Sequence, residues 1–192
     1  MYGICDKDFS DPIGLSCSET SKAGFTGRAV LFKAGAATVT LGSGSVMDVT
    51  ASAGDKVRID NTWANALTGT QASLVVDGGR PMFHHDIAFR APRAAGEAAA
   101  QKLAQNIDAI AHNSLMGIFE REDGTYLAVG FFGKMTATAM TQAEDANQGD
   151  WAITLGVDES LPEVLLVDDL GTVTNPKSAK QKFEIMYAAA AS

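Results

Sequence analysis

From Gly27 onward the chain is built of short apolar runs separated by turn signals, and only one stretch carries a clear helical period. "RAVLFK", "ATVTL", "VMDVTAS", "KVRIDNTW", "QASLVV" and "PMFHHDIAF" follow one another closely, with "AGA", "AGD" and "DGGR" as turns among them. Runs this short, rich in β-branched and aromatic residues and bounded by Gly and Asp, read as strands. "KVRIDN" shows the period of two most clearly: Val57 and Ile59 share one face against Lys56, Arg58 and Asp60. The pattern predicts a mainly β (α+β) chain, a β-sandwich or barrel with one flanking α-helix and extended N- and C-terminal arms.

The helix falls near residues 97–113. Leu103, Ile107 and Ile110 form a stripe at i, i+4 and i+7, Ala98–Ala100 extend it, and Asn113 is a fitting end. "LMGIFEREDGTYLAVGFFG" follows at once, with Asp123-Gly124 as a hairpin signal between two apolar runs. "MTATAM", the polar loop "TQAEDANQGD", "WAITLGV" and "EVLLVDD" come next. After "NPKSAK", Phe183, Ile185 and Tyr187 alternate with Lys182, Glu184 and Met186, which predicts a closing strand able to pair with a neighbouring sheet edge. The expected organisation is an N-terminal arm over 1–26, a β-rich domain over 27–175 and a C-terminal strand or arm over 176–192.

Charge is unevenly spread. Residues 135–176 contain no Lys or Arg but hold Glu144, Asp145, Asp150, Asp158, Glu159, Glu163, Asp168 and Asp169, which equals the whole net charge of −8. Such a stretch is either a solvated acidic surface or one that repels a polyanion or meets a basic patch on a partner. Glu144, Asp145, Asp150, Asp158 and Glu159 are its candidate lumen or inter-subunit residues. Arg80, Arg90 and Arg93, around the entrance to the helix, are the candidate basic docking patch on another copy.

No apolar run reaches the roughly 18–20 residues of a membrane helix, so no membrane insertion is expected. "MYGICDKDFSDP" shows neither a basic n-region nor an apolar h-region, and assembly in a cytoplasm is expected. Cys5 and Cys17 lack metal or redox spacing and are expected to be structural. His84 and His85 are successive strand residues on opposite faces, one expected packed and one exposed, while His112 sits on the helix. "LGSGSVM" and "VVDGGRP" read as turns, and Trp63 and Trp151 as core or interface. No enzyme activity, metal or cofactor is expected.

These pieces fall in a recognisable order. Cys5 and Cys17 in the N-terminal arm are followed by a strand series, a helix, Ile118–Glu120, the Asp123-Gly124 turn, Tyr126–Gly130, an acidic loop ending in Gly149-Asp150, and Ile153–Glu159. This order resembles a group of virion structural proteins of tailed phages of Bacteroidetes bacteria, and within tailed phages the tail-tube fold. The resemblance implies a tail protein of the virion, forming stacked hexameric rings that conduct double-stranded DNA without binding it specifically. Its partners would be copies of itself and other tail or head–tail proteins. A head–tail ring or adaptor, or a capsid decoration protein, is the alternative.

Overall fold

The computed structural model describes residues 24–42, 44–61, 67–77, 80–93, 95–142, 149–169 and 176–190. The predicted strand series is present: β1 (Phe25–Lys33), β2 (Thr38–Leu41), β3 (Val46–Thr50), β4 (Lys56–Asp60), β5 (Leu67–Asp77), β6 (Arg80–Ala91), β7 (Leu115–Arg121), β8 (Tyr126–Val129), β9 (Thr136–Gln142) and β10 (Trp151–Glu159). Two helices accompany them, α1 (Glu97–His112) and α2 (Ala179–Ala189). Pairing is antiparallel throughout these strands, in a sheet β4-β1-β7-β8, a sheet β5-β6-β10-β9 and a ribbon β2-β3.

The apolar runs explain the layering. In β1, Ala29 and Leu31 point to one side and Val30 and Phe32 to the other, and all four are buried. The first pair joins Phe119, Leu127 and Val129 against Ile87, Phe89, Ile153 and Leu155 of the second sheet. The second pair joins Met116, Ile118, Tyr126 and Ala128 against Val46 and Val49 of the ribbon and Phe183 and Met186 of α2. A strand covered on both faces reads as a continuous apolar run instead of an alternating one. The fold is therefore a mixed one of several antiparallel sheets and two helices. Among the described residues no sheet closes into a barrel, and the two larger sheets are not a simple sandwich, because β4-β1-β7-β8 is the middle of three layers.

The helix expected near 97–113 is α1. Ile107 and Ile110 are buried, Leu103 packs partly buried against the same core, and the Asn113 side chain ends the helix by donating to the carbonyl of Ala109 at 2.7 Å. The Asp123-Gly124 hairpin joins β7 to β8. Asp123 Oδ1 accepts the N–H of Thr125 at 2.8 Å, and Gly124 takes φ +85°.

The C-terminal strand is overturned. Residues 179–189 form α2, opened by a capping box in which Ser178 Oγ accepts from Gln181 N and Gln181 Oε1 accepts from Ser178 N. Phe183, Met186, Tyr187 and Ala190 are buried at helical spacing, while Ile185, an inward residue of the expected strand, is 53% exposed. The run 164–167 is likewise not a ladder strand. It makes single bridges, Leu165 to Leu127 and Leu166 to Val46. β1 begins two residues inside the expected 1–26 arm; residues 1–23 of that arm, with Cys5 and Cys17, lie outside the described residues, as does Trp63.

Candidate functional site

Most of the acidic stretch serves the fold. Asp150 is buried, and its Oδ1 accepts the backbone N–H of Arg93 at 3.0 Å. Glu159 is 1% exposed. Its Oε1 gathers the N–H groups of Gly130 and Phe132 at 3.0 Å each and of Gly133 at 3.4 Å, tying β10 to the turn that leaves β8. Glu163 pairs with Arg121. Asp168 Oδ1 accepts from the first N–H of α2, Ala179, at 2.6 Å. Asp169 pairs with Lys182. Asp150 and Glu159 are thus corrected from surface to interior residues: the Asp150 carboxylate accepts one backbone N–H and that of Glu159 accepts three. Glu144 and Asp145 lie outside the described residues.

The three arginines do not form one group. Arg80 and Arg90 stand near opposite ends of β6, ten steps of roughly 3.3 Å apart. Arg90 is exposed, and its carbonyl accepts Asn61 Nδ2 at 2.8 Å. Arg93 follows it, its backbone bound to Asp150.

Asp158 remains exposed, on the face of β5-β6-β10-β9 turned away from the core. There the β6–β10 register sets His84 opposite Asp158 and Asp86 opposite Gly156. His84 Nδ1 is 2.6 Å from Asp158 Oδ1, and its Nε2 is 3.2 Å from Asp86 Oδ1. Gly156 leaves the room: a Cβ there would stand 3.2 Å from Asp86 Oδ1 and 2.8 Å from Thr138 Cγ2. Hydrogen bonding to Asp158, with the charge of Asp86 beside it, raises the His84 imidazole above its ordinary value. The rest of this face carries the small residues Thr68, Ala88, Ala152, Thr154 and Thr138, with the exposed Arg90 at its far end opposite Ala152. His85, on the other face of β6, is buried as expected, its Nε2 3.9 Å from Glu159 Oε2. The division of the two histidines was legible in sequence. The carboxylate partners of His84 were not, because they depend on the register of β6 against β10.

Two further features escaped the sequence reading. Arg28 of β1 fastens α2: its Nη2 meets Glu184 Oε2 at 2.8 Å, its Nη1 meets Glu120 Oε2 at 3.1 Å, and its guanidinium lies 4.3 Å from the Tyr187 ring centre. An open cleft of about 660 Å³ lies between α1 and the β9–β10 edge, lined by Leu103, Ala104, Ile107, Met140 and Trp151. Among the described residues no group of three or more His, Cys, Asp or Glu is arranged to hold a metal ion, and no helix is long and apolar enough to cross a membrane. No known family, curated protein or solved structure matches the chain.

Proposed function

We propose that the chain is a structural virion subunit that assembles with copies of itself, as the tail tube protein of a tailed phage, into stacked hexameric rings that conduct DNA. The observation that carries this reading is the sheet β5-β6-β10-β9. It is antiparallel throughout, and both its edge strands lack a partner among the described residues. With four alternating strands, β5 and β9 run in opposite directions. Copies related by rotation about one axis therefore set β9 of each antiparallel to β5 of the next, which satisfies both open edges. On this reading the barrel expected of a single chain closes between copies instead.

The face turned from the core supports the same reading. On it the carboxylates of Asp86 and Asp158 offset the cations of His84 and the exposed Arg90, among threonine, alanine and glycine. A wall of this kind offers passing DNA few of the cationic contacts that would hold it.

Electron microscopy of the purified protein, with amide hydrogen exchange before and after assembly, tests the proposal. Tubes or stacked rings of one diameter are expected, with β5 and β9 amides gaining protection on assembly. Monomers at every concentration, or assemblies that leave both strands unprotected, would overturn it. Single rings or shell-bound trimers would favour the adaptor or decoration alternative.

A further inference from the structure

His84 stands where the sheet changes character. The β6–β10 pairing ends at His84–Asp158 and Phe83–Glu159, while β5 and β6 continue beyond it as a two-stranded ribbon to Asp77–Arg80. β5 carries a register shift between Thr70 and Ser73, opposite Asp86 and His84, so the ribbon also has its irregularity at this level. On the inner face of the same rungs, Glu159 anchors β10 to the turn at 130–133. The root of the ribbon is thus held from the inside by Glu159 and from the outside by the His84 cluster. Further out, Leu74 is 63% exposed.

We propose that His84, Asp86 and Asp158 form a proton-operated clamp at the root of the β5–β6 ribbon, one that tightens in acid and loosens as the imidazole gives up its proton. Both ring nitrogens face carboxylate oxygens, and only the imidazolium carries a proton for each. Among the described side chains, β10 supplies Asp158 and β6 itself supplies Asp86, and β9 has no ionisable residue. His85 and Glu159 lie on the other face. Neutral His84 can donate to one carboxylate only and leaves the other facing a lone pair, so the tie between β6 and β10 weakens on that side. Because the folded imidazole holds its proton more tightly than an ordinary one, the added stability is complete below the ordinary histidine value. It is lost as pH rises through the raised folded value.

The test combines an NMR titration of the histidine rings with amide exchange on the full chain at acid and mildly alkaline pH, corrected for intrinsic rates. The expected results are a His84 midpoint above the ordinary histidine value and ribbon amides at Leu74, Met82 and Phe83 that are about two- to fivefold better protected in acid, the range of a part-exposed ion pair. In His84→Gln this pH dependence should vanish, and Asp158→Asn should lower the His84 midpoint. A midpoint at or below the ordinary value in the unmodified protein would overturn the clamp even if the variants failed to fold. So would ribbon protection that follows pH equally in His84→Gln.

Discussion

The ammonium of Lys182 lies 2.5 Å from Oδ1 of Asp169, on the buried side of α2, with only 4% of the lysine exposed. The same ammonium donates to the carbonyls of Val167 and Met47. One cation therefore joins the C-terminal helix, the segment before it and the ribbon strand β3. Lys182→Met keeps the stem but removes all three bonds. Its two carbonyl bonds alone, being bonds to a charged donor, are worth about 1.5–3 kcal/mol each. Denaturant unfolding of Lys182→Met should show a clear fall in midpoint, and α2 amides should lose protection first. An unchanged midpoint would mean that α2 is held by its apolar face alone.

The helical reading of the C-terminus makes a second prediction, which a strand would reverse. Ile185 is exposed and Met186 buried at 5%. Ile185→Asp should stay within about 0.5 kcal/mol of the parent, as surface changes do. Met186→Asp places a carboxylate in the second core and should prevent stable folding. On the first core, Ile107→Ala should cost about 2–5 kcal/mol as a buried truncation. A near-zero loss there would mean that α1 is not packed on the sheets.

These residues show where the sequence was sufficient. The α1 stripe, the Asp123-Gly124 turn and the alternation of Val57 and Ile59 are local patterns, and each formed where expected. The run Lys182–Tyr187 fits two periods at once: Phe183, Ile185 and Tyr187 alternate, yet Phe183, Met186, Tyr187 and Ala190 fit a helix. The choice rests on the Ser178–Gln181 cap, which was present in "SAKQ", and on the free face of β1, β7 and β8, which only the tertiary fold reveals. The acidic stretch fails for the same reason. Sequence counts carboxylates, but whether Glu159 meets water or three backbone N–H groups is decided by the turn at 130–133, brought in from another strand.

The Arg28–Glu184 pair sets a prediction for acid. The hydrogen bond from Arg28 holds the Glu184 carboxyl below the usual carboxylate value. The stability this adds is complete above the ordinary carboxylate value and is lost as pH falls through the lowered folded value. Glu184 is nearly half exposed, so solvent limits the pair to about 0.2–1 kcal/mol. Glu184→Gln should remove that much at neutral pH and flatten this part of the acid unfolding curve. Curves that remain parallel down through the carboxylate range would show that the pair contributes nothing.

Asp158 and Glu159 are neighbours in β10 with opposite surroundings, and charge reversal separates them. Glu159→Lys puts a cation where three backbone N–H groups converge and leaves them without an acceptor, each worth about 1–3 kcal/mol when buried. The chain should fail to fold. Asp158→Lys changes an exposed side chain, so thermal unfolding should shift little, apart from the loss of the bond to His84. On the proposed function it also places a cation on the tube wall. Assemblies of Asp158→Lys should then form normally but retain double-stranded DNA, with an affinity that falls steeply as salt rises, because each phosphate contact releases counterions. Assemblies that form and bind no DNA at low salt would place this face away from the lumen. Failure to assemble, with the fold intact by circular dichroism, would make Asp158 part of a contact between copies.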